Sequence, residues 1–270
     1  MSDVGTAVTL RSDDDGAPSP TRHKRPWFLS LARGYARRAI ARRFDGLFVD
    51  GLAEAARLVG QRPVLFCVNH VSWWDPFVLI LLDEALGADS YALMDDVNLA
   101  RLPFFRAVGA LPIAVEGGAV ARRQLDDAVR TLDRPERALW IFPQGRQRAA
   151  HLRPLGFKQG VRLIAARAQK AGAVIVPVAL AFPWRQAPAP SVVVRFGAPV
   201  DPADTGGDEL TAHVEARVAA MLDDIDAAID RAGGDRSARG PGQALVAPRV
   251  ENAEHGLGAR LLGRLLTGPR

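Results

Sequence analysis

The chain has 270 residues, 48% hydrophobic and 24% charged, with 25 Gly and 19 Pro, proportions that fit one large globular domain with tails and exclude a disordered, collagenous or coiled-coil protein. Its one cysteine, Cys67, can form neither an internal disulfide nor a cysteine-based zinc cluster, which fits a reducing, cytoplasmic setting. The net charge of +5 divides into +5 over residues 1–43, −3 over 44–231 and +3 over 232–270; basic flanks beside a near-neutral centre point to an anionic surface as partner and away from nucleic acid.

Residues 1–20, rich in Ser, Asp, Gly and Pro, read as a disordered tail with little to bury. They lack the apolar segment of a secretory signal. No stretch reaches the roughly 18 apolar residues that span a bilayer, the longest being Ala171–Phe182. Residues 21–43 follow as a basic helix, whose stretch from Trp27 to Arg43 is interrupted in composition only by Gly34. Trp27, Phe28, Leu31, Tyr35 and Ile40 share it with Arg33, Arg37, Arg38, Arg42 and Arg43. On a helical wheel Arg38 and Arg42 fall on the side of Leu31 and Tyr35, so the pattern is not cleanly two-faced. Aromatics at headgroup level and arginines reaching lipid phosphate make it a membrane-surface helix; the alternative is a solvated basic helix packed on the core.

Residues 44–232 alternate short apolar runs with helical patterns, the mark of an α/β domain. The expected strands are Leu47–Val49, Val64–Val68, Tyr91–Met94, Leu111–Val115, Leu139–Phe142, Val174–Leu180 and Val192–Phe196. The clearest helices run Pro76–Leu86, Ala119–Leu132, Gln159–Gln169 and Glu209–Arg231. Residues 233–270 read as a linker with a short C-terminal helix over Leu257–Leu266.

The chemically informative run is Asn69-His70-Val71-Ser72-Trp73-Trp74-Asp75-Pro76, where an apolar strand gives way to a helix. His70 then stands at a strand's C-terminal edge, the usual place of α/β active sites. A histidine near its ordinary pKa takes a proton at neutral pH, and a carboxylate on its other nitrogen fixes the tautomer. Asp75 is the candidate carboxylate, although Asp before Pro is also a favourable helix cap. Cys67, inside an apolar run, reads as a buried strand thiol and not as a nucleophile.

Three later segments complete a pattern: Phe142-Pro143-Gln144-Gly145 after a strand, Gly156-Phe157-Lys158-Gln159-Gly160 opening a helix, and Ile175-Val176-Pro177-Val178-Ala179 within a strand. With Asn69-His70 and Asp75, in this order, they resemble the four blocks of the glycerolipid acyltransferase family typified by 1-acylglycerol-3-phosphate O-acyltransferase. The resemblance implies a single α/β domain with a mixed β-sheet flanked by helices. It also implies an acyl thioester donor, acyl-CoA or acyl carrier protein, and a lipid hydroxyl as acceptor. His70 becomes the general base and Asp75 its orienting partner, while Asn69, Gln144, Gly145, Arg146, Arg148 and Lys158 become substrate contacts. No cofactor or metal is implied, and the expected location is the cytoplasmic face of a membrane.

Physical readings of the blocks stand beside these roles. Gly145 permits a tight turn or a close approach to ligand, Lys158 at a helix start faces an anion or solvent, and Pro177 in a strand suggests an edge or bulge. The block usually read Phe-Pro-Glu-Gly-Thr-Arg-Ser has Gln144 at the acidic position and Gln147 at the arginine position. Val115 stands where another block usually ends in arginine. Valine offers phosphate nothing and glutamine only a neutral amide, leaving Arg146, Arg148, Arg122 or Arg123 to replace the missing clamp. Otherwise the acceptor lacks a phosphate. A non-catalytic lipid-binding relative and an acyl thioesterase are the competing functions.

Overall fold

The computed structural model describes residues 20–205, 207, 209–233 and 242–247; the expected N-terminal tail and the expected Leu257–Leu266 helix lie outside the described residues. A 3-10 turn at Pro20–His23 leads into helix α1 (Pro26–Arg43). The chain continues through β1 (Leu47–Asp50), α2 (Leu52–Val59), β2 (Val64–Val68), α3 (Asp75–Leu86), β3 (Asp89–Asp95), α4 (Asp96–Arg101) and β4 (Ala110–Ile113). It then forms α5 (Gly118–Val129), β5 (Arg137–Ile141), α6 (Gly160–Ala168), β6 (Val174–Ala181), β7 (Val192–Phe196), α7 (Leu210–Arg231) and β8 (Gln243–Val246).

The eight strands form one mixed sheet in the order β4-β3-β5-β2-β6-β7-β1-β8. From β4 to β6 every neighbour is parallel, β7 pairs antiparallel with β6, β1 parallel with β7, and β8 antiparallel with β1. Central strands buried on both faces must be apolar throughout; β2 reads Val-Leu-Phe-Cys-Val and all five residues are buried. Alternate side chains serve separate cores. Phe66, Val68, Trp140, Val176 and Val194 pack beneath α1, α2 and α3. Leu65, Cys67, Leu139, Ile141 and Ile175 pack beneath α5, α6 and α7. Each such side chain contributes about 1.5–3 kcal/mol of burial.

All seven expected strands form, and the α/β architecture with helices on both faces is as the sequence implies. The eighth strand, β8, corrects the reading of 233–270 as linker: Phe48 and Val49 pair with Ala244 and Gln243. Four residues with a single buried side chain at the end leave no periodic trace. Of the two expectations for Pro177 the edge is excluded, because β6 is an interior strand between β2 and β7, whereas the register slips by one residue between the Gly197–Pro177 bond and the Ile175–Val200 bridge. The Pro177 carbonyl accepts the Gly197 N–H at 2.8 Å, on the side where the β7 ladder has ended and the chain turns toward the Ile175–Val200 bridge. The missing donor therefore falls at an irregularity of the ladder.

Candidate active site

The C-terminal ends of β2, β3, β4 and β5 all point to one edge of the sheet, because these strands are parallel. His70 follows β2 there, and Phe142 to Gly145 follow β5. His70 Nδ1 lies 2.6 Å from Asp75 Oδ2. That oxygen also accepts the Val71 N–H at 2.7 Å, while Asp75 Oδ1 accepts the Ser72 hydroxyl at 3.1 Å and the Ser72 N–H lies 3.1 Å from both oxygens. The carboxylate is wholly buried and the His70 side chain 20% exposed. An acceptor-only carboxylate on Nδ1 requires Nδ1–H, which leaves the Nε2 lone pair free to take a proton. Asp75 is thus no cap of α3: it is the helix's first residue and its oxygens turn back to the preceding loop. The Phe142 ring lies 4.3 Å from the imidazole, tilted by 34°, and steadies its plane.

Two neighbours expected to touch substrate serve the scaffold instead. Asn69, 1% exposed, donates to the Leu180 carbonyl and accepts the Leu180 N–H, both at 2.8 Å. This staples the end of β2 to β6, one residue before His70. Gln144, 4% exposed, accepts the His70 N–H at 2.6 Å and donates to the Leu155 carbonyl at 3.0 Å. The Gln144 amide thus joins the β2–α3 loop to both ends of the β5–α6 connection through one acceptor and one donor.

A cavity of about 850 Å3 opens at His70. On the α3 side it is lined by Leu79, Ile80, Met94, Phe105 and Val108; toward α5 and α6 it meets Val115, Arg122, Gly145, Arg146, Gln147 and Lys158. Gly145 has φ +65°, and a Cβ there would stand 3.1 Å from Lys158 Nζ and 3.2 Å from Val115 Cγ1. The positive φ favours glycine, and any side chain would press on Lys158 and Val115. Arg146 and Lys158 are exposed cations on the cavity wall. Arg148 differs from the expectation of a substrate contact: its Nη1 donates to the Pro154 and Leu155 carbonyls at 3.0 and 2.7 Å, and its N–H to the His70 carbonyl at 2.9 Å. Cys67 is buried, and burial pushes its thiol far up from the ordinary value.

Sequence reasoning brought His70, Asp75, Gly145, Arg146 and Lys158 to one place. It missed Ser72, whose hydroxyl accepts the Trp74 N–H at 3.0 Å while donating to Asp75; a serine three residues before an aspartate in a turn was the available signal. It missed the Leu155 carbonyl, since main-chain acceptors leave no signature. Among the described residues no group of three or more His, Cys, Asp or Glu is placed to hold a metal.

The family model described as Acyltransferase matches residues 47–181, half the chain, from β1 through β6. The matched span contains the His70–Asp75 pair, the Gln144 turn and Lys158. The chain belongs to this acyltransferase family. No curated protein matches the sequence.

Proposed function

We propose that this acyltransferase moves a fatty acyl group from a thioester, acyl-CoA or acyl carrier protein, to the hydroxyl of a lipid at a membrane surface, with His70 as general base. The observation that carries the reading is the 2.6 Å contact between His70 Nδ1 and buried Asp75 at the mouth of a largely apolar cavity. Nε2 takes the proton of the acceptor hydroxyl as its oxygen attacks the thioester carbonyl. The C–O bond forms, the C–S bond breaks, and the leaving thiolate takes the proton from His70. Asp75 stabilises the imidazolium between these steps.

Arg122, Arg146 and Lys158 enter no ion pair with an acidic side chain among the described residues and line the cavity, which favours a phosphate-bearing partner such as lysophosphatidate. Val115 and Gln147 on the same wall favour the second reading, an acceptor without a phosphate monoester. The test is transfer of labelled acyl-CoA to a panel of both acceptor kinds. His70→Ala should lower turnover by about two to four powers of ten without unfolding the protein; a folded His70→Ala protein of normal rate would refute the mechanism, and product without acceptor would indicate a thioesterase.

Membrane attachment is supported by α1. Trp27, Leu31 and Tyr35 are 66%, 64% and 61% exposed and recur every fourth residue, forming one stripe continued by Arg38 and Arg42. Only Ala36 and Ile40 of this helix are buried. No helix among the described residues is long and apolar enough to cross a membrane, and the stripe suits a helix lying in the interface, on the cytoplasmic face. Replacing Trp27, Leu31 and Tyr35 with Ser should release the protein from anionic vesicles, and salt should weaken binding of the unaltered chain. Equal sedimentation of both proteins with vesicles would refute attachment by this stripe.

A further inference from the structure

Helix α1 carries five arginines and no Asp or Glu. Arg37 pairs with Glu84 at 2.8 Å, whereas Arg38, Arg42 and Arg43 are exposed and meet no acidic side chain among the described residues. The helix dipole favours cations in a last turn, which accounts for Arg42 and Arg43. It does not account for Arg38, which lies before that turn and repels Arg42 four residues on.

Arg38, Ala39, Arg42 and Arg43 follow Tyr35 by three, four, seven and eight residues and so share one face of the helix with it. Ala39, a single methyl among long side chains, leaves a pocket of about 320 Å3 that Trp74 lines from outside α1. That indole is fixed in place: Phe44 meets it edge-on at 5.4 Å, Phe77 lies 5.6 Å away, and the Arg43 guanidinium stands 5.9 Å from its ring centre. Through β7 and β6, β1 runs opposite to β2, so the end of α1 lies at the edge of the sheet where β2 ends. Trp73 lines the catalytic cavity and Trp74 this pocket; the turn from His70 to Asp75 borders both.

Guanidinium groups take phosphate oxygens through paired, charge-assisted hydrogen bonds. A phosphate monoester brings about two negative charges, whereas a diester brings about one and leaves most of this cationic cluster unanswered. The exposed Trp27, Leu31 and Tyr35 precede the arginines on the same helix, so apolar surface adjoins the cations and marks the phosphate as that of a lipid. We propose that Arg38, Arg42 and Arg43, backed by Trp74, form a site for the phosphate monoester headgroup of a membrane phospholipid, distinct from the catalytic cavity. The inference rests on the attachment of α1 to a membrane proposed above and adds the headgroup that it reads.

The experiment is sedimentation with vesicles containing phosphatidate or phosphatidylglycerol, matched in surface charge, for the unaltered protein, Ala39→Leu and the double variant Arg38→Lys with Arg42→Lys. Ala39→Leu fills the pocket and keeps every charge; the lysines keep the charge and lose the fork. The expected result is roughly tenfold tighter binding to phosphatidate by the unaltered protein, lost in both variants while binding to phosphatidylglycerol persists. Soluble dihexanoyl phosphatidate should release the protein from phosphatidate vesicles at lower concentration than inorganic phosphate does. Equal binding of the two vesicles by the unaltered protein would overturn the proposal, since charge alone would then hold the helix. A preference surviving in either variant would also overturn it, placing phosphatidate elsewhere, as would release by inorganic phosphate at the same concentration as the soluble lipid. Should Ala39→Leu disturb the packing of α1, the double variant at its two exposed positions decides alone. Absence of sedimentation with every vesicle would defeat the membrane attachment of α1 and leave binding of dihexanoyl phosphatidate in solution, compared between the unaltered protein and the variants, to decide the site.

Discussion

Gln144 holds His70 from behind: its side-chain oxygen takes the His70 N–H at 2.6 Å while its amide donates to the Leu155 carbonyl at 3.0 Å. Gln144→Leu removes both bonds and leaves the His70 N–H without its acceptor, an expected loss of about 1–3 kcal/mol. Gln144→Glu keeps the acceptor but not the donor and should fall between Leu and the unaltered protein. Denaturant midpoints and kcat should follow that order together. Unchanged kcat in a destabilised Gln144→Leu protein would separate the bridge from catalysis.

Asp75 faces only donors: the His70 ring N–H, two main-chain N–H groups and the Ser72 hydroxyl. Asp75→Asn turns an NH2 toward at least one of them, so both stability and kcat should fall, the former by about 1–3 kcal/mol. Ser72→Ala removes one donor and leaves the histidine contact, and should reduce kcat far less. Comparable kcat losses in the two variants would show that the His70 contact is not what matters.

Arg148 and Arg146 are near in sequence but differ in use. The Arg148 guanidinium joins two carbonyls, whereas Arg146 is exposed on the cavity wall. Arg148→Ala should lower the denaturation midpoint. Arg146→Ala, and more so its combination with Arg122→Ala and Lys158→Ala, should leave the midpoint alone and lower kcat/KM for a phosphorylated acceptor. If the triple variant uses phosphorylated and unphosphorylated acceptors in the native ratio, these cations do not read the acceptor.

Burial pushes the Asp83 carboxyl up to about 6, against hydrogen bonds from Ser90 and Trp140 that favour the charge. A carboxyl that binds its proton more tightly when folded loses stability as pH rises from about 4 through 6. Asp83→Asn keeps an acceptor for Trp140 and cannot ionise, so its stability relative to the unaltered protein should rise between pH 4 and 7, by at most about 3 kcal/mol. Denaturant titrations at the two pH values check this; a pH-independent difference would mean that Asp83 titrates normally.

The parts of this architecture that repeat along the chain were readable in it. The buried runs of β2 and β6 and the spacing of Leu210, Val214, Val218 and Ile225 in α7 announce themselves, since burial imposes a period of two or of three to four. At the site, His70 and Asp75 were legible because a short turn joins them. Asn69, Gln144 and Arg148 were legible as residues of interest but not in their use, because their partners are carbonyls at Leu180, Leu155 and Pro154 that any residue type supplies. β8 was illegible for another reason: its position depends on pairing with β1, almost two hundred residues earlier.

The burial of Cys67 bears on the order of events. It is the only thiol in the chain, its side chain belongs to the core beneath α5, α6 and α7, and its ionisation is suppressed. It cannot hold the acyl group while one product leaves and the next substrate arrives. If His70 acts only as a base, donor and acceptor must occupy the protein together, and either alone is held without reaction. Transfer then proceeds through a ternary complex, and double-reciprocal plots of initial rate at several fixed concentrations of the second substrate intersect instead of running parallel.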